Sequence, residues 1–165
     1  MISIIVAVSD DWGIGKDNEL LWRISEDLKR FKRLTIGKAV IMGKKTWESL
    51  PTHPLSGRKN IVLTDLPHEQ IEGALTVYSI EGALNKCSSE EEVFIIGGGS
   101  VYRQFMPLAD RLYITHVRKN APADIFFPPI DMETWKIVSE EDFPENETND
   151  IPYKYVIYEK FQTAL

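Results

Sequence analysis

One acidic side chain falls on the apolar face of a predicted helix near the start of the chain. The apolar residues Ile24, Leu28, Phe31 and Leu34 recur at helical spacing, and Asp27 lies on the same stripe. An acid in the first turn of a helix is stabilised simply by the helix dipole. It can also face an apolar pocket, where burial raises its pKa and nearby donors lower it. Asp27 is therefore a candidate ligand-binding carboxylate.

Three consecutive glycines, Gly97 to Gly99, follow the apolar strand sequence VFII and precede a helical sequence that begins at Ser100. Glycines let backbone N–H groups approach a phosphate at the start of a helix. The spacing is not the GxGxxG of Rossmann domains, and a turn that needs unusual dihedrals explains the glycines equally well. Nucleotide binding and a purely structural turn both remain open for this segment.

Two other turns carry basic residues. The strand sequence VIM ends in Gly43 and is followed by Lys44, Lys45 and Thr46, whose ammonium groups and hydroxyl suit a phosphate. Arg58, in the turn PLSGRKN, could clamp a carboxylate with its planar guanidinium group. Solvated surface turns have the same composition, so neither segment identifies a ligand by itself.

Regular elements must position these segments. Strands are predicted at Met1–Val8, Ala39–Gly43, Asn60–Thr64, Leu75–Tyr78 and Val93–Ile96, and helices at Ser25–Thr35, Lys45–Leu50, Ile80–Cys87 and Ser100–Met106. Ser25 is the predicted N-cap of the first helix. Short apolar strands that alternate with helices indicate a mostly parallel sheet covered on both faces. The segment Ser9–Ile24 is predicted to be a long loop, whose apolar residues favour a ligand-covering lid over disorder.

The last third of the chain follows a different pattern. Arg111–Arg118, Trp135–Glu141 and Tyr153–Phe161 alternate apolar and polar residues without intervening helices, which predicts antiparallel pairing. We therefore expect one α/β domain over residues 1–165. Its central sheet would be mixed and mostly parallel, with antiparallel C-terminal strands and helices on both faces.

Size, charge and cysteine content narrow the function classes. The chain has 165 residues, 43% of them hydrophobic and 27% charged, which fits one globular domain. A net charge of −6 disfavours nucleic-acid binding. The first apolar run is too short to span a membrane and lacks the features of a signal peptide. Because Cys87 is the only cysteine, a reducing, cytoplasmic location is expected.

Motifs for other chemistries are missing from the sequence. The three histidines share no metal-ligand spacing, and neither a nucleophile elbow nor a P-loop occurs. We therefore expect no metal site. Hydride transfer with a bound nicotinamide remains as chemistry that one acid and a phosphate cradle could serve.

Eight segments stand in the order and spacing of the dihydrofolate reductase family. They are ISIIVAVS, GIGKDNELLW, EDLKRFK, VIMGKKTWESL, GRKNIVLT, FIIGGGSVY, LYITHV and DIFFPPI, and they span nearly the whole chain. The resemblance implies an enzyme that transfers a hydride from NADPH to the protonated pterin imine of dihydrofolate, giving tetrahydrofolate. Antifolate inhibitors such as trimethoprim are the other ligands implied. The chain ends at Leu165 without a thymidylate synthase extension, which predicts a monomer.

The resemblance implies roles for matching residues in the substrate site. Asp27 would bind the pterin amino group and ring nitrogen, Thr115 would join that network, and Arg58 would grip the substrate's α-carboxylate. Trp22, beside the water that delivers the proton, and Leu20, in the loop that closes over the nicotinamide, complete the catalytic set. The other implied substrate-binding residues are Ile5, Val6, Ala7, Leu28, Phe31, Ser49, Leu50, Leu55, Ile96 and Tyr102.

The resemblance implies a second set of residues for NADPH. Gly97 and Gly98 would form a cis bend, and Gly98 and Gly99 would lie against the pyrophosphate. Lys44, Lys45 and Thr46 would hold cofactor phosphates, and Thr64 would lie at the adenosine end. The other implied cofactor-binding residues are Ala7, Ile14, Gly43, Leu63, Ile96, Ser100, Val101 and Tyr102.

The chain departs from the family pattern at four positions. Leu21 and Ser25 stand where proline is usual, and because proline fixes φ, their presence predicts a lid that is more mobile or seated differently. Ser100 stands where a basic residue is frequent. Asp65 stands where hydroxyl residues are frequent, and its carboxylate would repel a 2′-phosphate, which bears on the preference for NADPH over NADH.

Three alternatives compete with this interpretation. Riboflavin-pathway reductases of similar fold also use NADPH, but they should lack the set Trp22, Asp27, Phe31 and Arg58, which this chain has. A non-catalytic nucleotide or folate binder would keep the fold, and an activity assay separates it from an enzyme. An interaction protein would be identified only by a partner screen.

Overall fold

The structure is a computed structural model that describes residues 1–17, 19–87, 92–147 and 149–161. The strands are β1 (Ile2–Val8), β2 (Gly13–Lys16), β3 (Glu19–Leu20), β4 (Ala39–Gly43), β5 (Lys59–Leu63), β6 (Leu75–Val77), β7 (Val93–Gly97), β8 (Arg111–Val117), β9 (Ile125–Phe126), β10 (Trp135–Phe143) and β11 (Tyr153–Lys160). The helices are α1 (Ser25–Thr35), α2 (Lys44–Ser49), α3 (Ile80–Asn85) and α4 (Gly99–Phe105), with a 3₁₀ turn at Met106–Leu108.

A central sheet of eight strands runs in the order β10-β11-β8-β1-β7-β4-β5-β6. The neighbours from β8 to β6 are all parallel, and β11 is antiparallel to both β8 and β10. The predicted mixed, mostly parallel sheet with antiparallel C-terminal strands is confirmed. The strand β8 belongs to both parts, because it pairs in parallel with β1 and antiparallel with β11.

Helices cover both faces of this sheet, as predicted. One core cluster joins Ile4 and Val8 of β1 to Ala83 of α3 and Phe105 of α4. A second cluster joins Ile5 of β1 to residues of β4, β7 and α2, with side chains of α1 packed against it. Successive side chains of a strand point to opposite faces, so β1 contributes to both clusters. The second face carries Asp27, because α1 covers it.

The first helix has its predicted bounds but not its predicted N-cap. The N-cap residue is Ile24, with extended dihedrals of φ −94° and ψ 115°, and no side chain caps the helix. The prediction for Ser25 is wrong because Ser25 already lies inside the first turn. Acidic residues in that turn and basic residues in the last turn match the helix dipole.

The segment between β1 and α1 is partly regular, although it was predicted to be a loop. The strands β2 and β3 form a small antiparallel hairpin in which Gly15 faces Leu20. The strand β9 completes a three-stranded sheet with them. Glycines at two positions of β2 give no apolar alternation, and β9 lies far along the chain, so the local sequence does not indicate this pairing.

Residues 1–17, 19–87, 92–147 and 149–161 contain neither a membrane-spanning helix nor a metal-binding cluster. Within them, no helix is long and apolar enough to cross a membrane. Nor do they contain three or more His, Cys, Asp or Glu side chains grouped so as to hold a metal ion. The side chain of Cys87 is buried in the core cluster that α3 and α4 cover.

Candidate active site

A carboxylate and a hydroxyl form the polar centre of the face that α1 covers. In β8, Thr115 lies beside Ala7 of β1, and α1 brings Asp27 to it. The Thr115 hydroxyl donates a hydrogen bond of 2.7 Å to Oδ1 of Asp27, and no other described side chain is hydrogen-bonded to the carboxylate. Burial raises the pKa of Asp27, against smaller lowering effects from Thr115 and the Arg30 guanidinium group. The second oxygen, Oδ2, can therefore accept hydrogen bonds from a ligand.

An unpredicted cation lies near this carboxylate. Arg30 follows Asp27 by one helical turn, and its Cζ atom is 3.9 Å from the ring centroid of Tyr155 and 5.9 Å from that of Tyr113. Burial lowers the pKa of Arg30, whereas Tyr155 and Asp27 raise it, and an arginine remains charged at neutral pH. The spacing of three residues from Asp27 was a usable signal in the sequence, since such pairs share one side of a helix.

The indole N–H of Trp22 is buried and has no hydrogen-bond partner within the described part of the chain. The Trp22 ring packs against the cluster of Val117, Tyr153 and Tyr155 at the end of β8. A buried donor that lacks an acceptor costs free energy. This N–H is therefore suited to a ligand atom or an ordered water.

An apolar wall adjoins the carboxylate. Five predicted substrate-binding residues are grouped in the core cluster of this face, either buried in it or packed against it: Ile5, Phe31, Leu50, Leu55 and Ile96. Ala7, the neighbour of Thr115 in the sheet, is half-buried. The Asp27 carboxylate and this apolar cluster therefore lie on the same face of the sheet, the one that α1 covers.

Three predicted substrate-binding residues are placed differently. The side chain of Val6 packs in the cluster of the opposite face, so only its main chain can contribute to a pocket at Asp27. Tyr102 also lies on that opposite face, and its hydroxyl donates a 2.9 Å hydrogen bond to the carbonyl of Ile5. Leu28 is 43% exposed and lies on the surface of α1. The predicted contacts of Val6, Tyr102 and Leu28 with the substrate stay predictions.

Arg58 is held at the edge of the same apolar wall. Its Cζ atom is 6.0 Å from the ring centroid of Phe31. Its Nε donates to the carbonyl of Ser56 at 3.0 Å, and one terminal nitrogen donates to Oγ1 of Thr35 at 3.2 Å. Within the described ranges Arg58 has no carboxylate partner. Its remaining N–H groups can therefore bind a carboxylate from a ligand.

Added side chains would be in close contact with neighbouring groups at the glycine turn between β7 and α4. The Gly97–Gly98 peptide bond is cis, as the resemblance implies, and Gly97 has φ +130°. A Cβ atom at Gly97 would lie 3.3 Å from Oγ1 of Thr46 and 3.4 Å from the Tyr102 hydroxyl. A Cβ atom at Gly98 would lie 3.4 Å from the same Thr46 oxygen. The main chain of this turn and the Thr46 hydroxyl therefore face each other closely.

The turn between β4 and α2 packs against the glycine turn. A Cβ atom at Gly43 would lie 3.2 Å from a methyl group of Val101 and 3.9 Å from the carbonyl oxygen of Gly97. At Gly99, a Cβ atom would lie 2.6 Å from a methyl group of Ile125. A side chain at Gly99 would collide with Ile125, and one at Gly43 would have to push Val101 aside by a few tenths of an ångström. Both glycines lie at or just beyond the carboxyl ends of two neighbouring parallel strands.

The predicted phosphate-binding side chains surround an acid that the sequence analysis missed. Lys44 forms an ion pair with Glu69, with 2.6 Å between Nζ and Oε2. The Thr64 hydroxyl donates a 2.6 Å hydrogen bond to the other oxygen, Oε1. Lys45 is exposed. No periodic pattern or motif in the sequence indicates that Glu69, in the segment between β5 and β6, reaches these residues.

The remaining predicted site residues differ in their exposure and contacts. Leu20, in the small hairpin, is 56% exposed. The Ser49 hydroxyl donates to the carbonyl of Thr46 at 2.8 Å, and Ser100 accepts a 3.1 Å hydrogen bond from Gln104. Three apolar residues that are predicted to bind the cofactor belong to the core cluster covered by α3 and α4 or pack against it: Ile14, Leu63 and Val101.

Comparison with known proteins gives one consistent family. The family model described as "Dihydrofolate reductase" matches residues 1–160. The dihydrofolate reductase of Bacillus subtilis (strain 168) is 43% identical over 160 residues, which cover 97% of this chain and 95% of that protein. The dihydrofolate reductase of Neisseria gonorrhoeae is 48% identical over 135 residues, with 82% of this chain and 83% of that protein covered.

A solved structure agrees with these sequence relatives. The dihydrofolate reductase from Enterococcus faecalis, complexed with NADP(H) and RAB-propyl, superposes with a TM-score of 0.89 at 34% identity. The match covers 98% of this chain and 97% of that chain. Fold, sequence and the grouping of Asp27, Thr115 and the glycine turn all lead to the same family. The chain belongs to the dihydrofolate reductase family.

Proposed function

We propose that this chain catalyses the NADPH-dependent reduction of dihydrofolate to tetrahydrofolate, with Asp27 at the centre of the substrate site. The observation that carries the proposal is the half-buried carboxylate of Asp27, fixed by the 2.7 Å hydrogen bond from Thr115. Membership in the family supports the same reaction and argues against the riboflavin-pathway reductases. A non-catalytic binder would differ from this enzyme by failing to oxidise NADPH in the presence of dihydrofolate.

The substrate site suits a pterin. The free oxygen of Asp27 accepts hydrogen bonds from the amino group and a ring N–H, and the Thr115 hydroxyl has lone pairs for the same edge. The apolar wall around Ile5 and Phe31 removes the flat ring from water. At the far end of the wall, Arg58 binds the α-carboxylate of the substrate's glutamate through its remaining N–H donors.

The glycine turns fit the cofactor of the family. Gly43 and Gly97 carry no side chains, so a dinucleotide can approach the main chain, where Gly98, Gly99 and Thr46 provide polar groups for its pyrophosphate. Lys44, Lys45 and Thr64 would hold the phosphates and the adenosine end. When bound, NADPH supplies the hydride. The Enterococcus faecalis relative is complexed with NADP(H), which supports this assignment.

The protein's own groups make the substrate reactive. A C=N bond accepts hydride more readily once its nitrogen is protonated. The Asp27 carboxylate stabilises the positive charge that protonation creates, and it acts by electrostatics and orientation more than by direct proton delivery. The buried N–H of Trp22 orients the water that delivers the proton. The hairpin that carries Leu20 covers the site and limits access of other water.

The same family membership suggests which inhibitors the protein binds, how many subunits it has and where it acts. Antifolate inhibitors bind at Asp27 in place of the pterin, and the relative from Enterococcus faecalis is complexed with RAB-propyl. The chain acts as a monomer in the cytoplasm, where its single cysteine fits a reducing compartment.

The test compares NADPH oxidation by the wild-type protein and by Asp27→Asn at neutral pH. We expect oxidation that requires dihydrofolate, and a kcat at least about 100-fold lower in the variant, because a neutral amide cannot stabilise the protonated imine. The control is Glu26→Gln, which changes the adjacent exposed carboxylate that pairs with Lys29 at 3.3 Å, and it should keep full activity. Full activity of Asp27→Asn would refute the role of Asp27. No oxidation by folded wild-type protein would leave a non-catalytic binder.

A further inference from the structure

The carboxylate of Glu69 bridges two donors at the carboxyl ends of β4 and β5. Its Oε2 accepts from Lys44 Nζ at 2.6 Å and its Oε1 accepts from the Thr64 hydroxyl at 2.6 Å. The Thr64 oxygen accepts in turn from the backbone N–H of Leu66 at 3.2 Å. Since a hydroxyl has one proton, Thr64 has no second donor to offer while Glu69 is bound.

Several contacts hold Glu69 in this position. The backbone carbonyl of Glu69 accepts a 2.6 Å hydrogen bond from the Tyr78 hydroxyl, and its backbone N–H donates to the carbonyl of Leu66 at 3.3 Å. The hydrogen bonds from Lys44 and Thr64 lower the pKa of Glu69, so it is ionised at neutral pH. An anion is therefore fixed between a lysine and a hydroxyl.

These two donors are also those that a phosphate on the adenosine end of NADPH would need. The proposed function assigns Lys44 to the cofactor phosphates and Thr64 to the adenosine end. The phosphate of NADPH that lies at the adenosine end is the 2′-phosphate of the ribose, so this is the phosphate that both residues could contact. A phosphate monoester carries nearly two negative charges at neutral pH, and its oxygens act as hydrogen-bond acceptors that need donors from the protein. The single proton of the Thr64 hydroxyl cannot serve both anions, and although the Lys44 ammonium group has three N–H donors, a phosphate that binds it is repelled by the adjacent carboxylate.

Resting on the proposed function, we propose that Glu69 is a specificity-determining residue that competes with the 2′-phosphate of NADPH for Lys44 and Thr64. The carboxylate must move away before the phosphate can take its place, whereas NADH, which lacks this phosphate, leaves the bridge intact. Glu69 therefore narrows the preference for NADPH over NADH. Other acids adjoin the lysine, since Glu48 and Asp65 also raise its pKa, but among the residues that the structure describes only Glu69 accepts a hydrogen bond from it.

The experiment measures binding, without any turnover, of two fragments that differ only in the 2′-phosphate. Adenosine 2′,5′-bisphosphate and 5′-AMP are titrated by calorimetry into the wild-type protein, Glu69→Gln and Glu69→Ala. The control is Glu72→Gln, which removes the same charge from an exposed residue of the same segment. We expect both Glu69 variants to bind the bisphosphate about three- to tenfold more tightly at low salt. Binding of 5′-AMP by every variant, and of both fragments by Glu72→Gln, should stay within about twofold of wild type.

Other outcomes overturn the proposal. Unchanged or weaker binding of the bisphosphate would mean that Glu69 is inert or orients Lys44 for the phosphate. Equal gains for both fragments would show a general charge effect. Reduction of dihydrofolate by the wild-type protein is measured in parallel. Its failure would refute the proposed function, whereas normal reduction with no change in fragment binding would refute only the role of Glu69.

Discussion

The ionisation of Asp27 is set by neighbours that act in opposite directions. Burial raises the pKa, and the Thr115 hydrogen bond and the Arg30 cation lower it. Thr115 touches the carboxylate, but Arg30 acts through space and is also held against Tyr155. Other groups that act on Arg30 are Tyr113 and Glu141. Arg30 is thus a positioning residue whose charge favours the ionised carboxylate.

Replacing Arg30 with Met should shift the pH dependence of catalysis. Removal of the cation takes away one of the influences that lower the pKa of Asp27, so this pKa rises further. The step in kcat/KM that follows Asp27 should therefore move to higher pH, while Met keeps an apolar stem over Tyr155. Steady-state rates measured across the pH range give the midpoint.

The control for this prediction is Arg33→Met, which removes a charge from an exposed residue in the last turn of α1. It should move the midpoint less than Arg30→Met does. An unchanged midpoint in Arg30→Met, or a shift to lower pH, would show that Arg30 does not act on Asp27.

Single residues differ in how far the sequence could identify them. The apolar stripe of α1 indicated Asp27, but only the family resemblance pointed to Thr115. Strand alternation alone places the side chains of Val6 and Ile5 on opposite faces of the sheet, as the structure has them. Glu69 could not be found, because its partners Lys44 and Thr64 are brought to it by tertiary structure.

Among the elements, the turn between β7 and α4 makes the strictest demands on its residues. Gly97 combines a positive φ with close neighbours on two sides, whereas Gly37 has φ +76° and nothing within 4 Å of an added Cβ atom. The two positions therefore separate the cost of backbone strain from the cost of crowding. Both costs act on stability, and only the first applies to Gly37.

We expect Gly97→Ala to lower the free energy of unfolding by about 2–3 kcal/mol and Gly37→Ala by about 1 kcal/mol. Alanine at Gly97 must adopt a strained φ and push against Thr46 and Tyr102, whereas alanine at Gly37 meets the backbone strain only. Urea denaturation of the two variants beside wild type measures the difference. A smaller loss at Gly97 than at Gly37 would contradict the crowding inferred for the turn.

Regular elements were predictable where their own residues carry the signal. Apolar, β-branched runs located the strands of the parallel sheet, and helical spacing located α1 with the bounds that the structure has. The hairpin of β2 and β3 was missed because Gly13 and Gly15 have no side chains to alternate. The first helix begins without its predicted Ser25 cap, since a local preference for serine does not fix where the chain turns into the helix.

At the scale of the whole molecule, the sheet order assembles the site. The strands β7, β4 and β5 are parallel neighbours, so their carboxyl ends bring the glycine turn, Gly43 and Thr64 to one edge. The adjacent pair β1 and β8 places Ala7 and Thr115 under α1. Ligands of open parallel sheets bind at this edge. The order of strands depends on long-range pairing, which the sequence pattern alone does not give.

The net charge of the chain is negative, although cations lie among the predicted ligand-binding residues. The chain carries a net charge of −6, which repels the anionic substrate and cofactor at long range. Lys44 and Lys45, at the carboxyl end of β4, and Arg58, just before β5, are the cations predicted to bind anionic ligands. Salt screens the long-range field beyond about 10 Å at 0.1 M, so we expect such nearby cations to matter more than the net charge at physiological ionic strength.

Direct transfer of a hydride to dihydrofolate is the central claim, and isotope transfer tests it most directly. NADPH that carries deuterium at the transferable position of the nicotinamide is mixed with dihydrofolate and wild-type protein. The molecular mass of the tetrahydrofolate product is then measured by mass spectrometry. We expect the product to be about one mass unit heavier than with unlabelled NADPH, because the hydride passes without exchange to the pterin carbon. Tetrahydrofolate without the label, or no tetrahydrofolate at all, would contradict the claim.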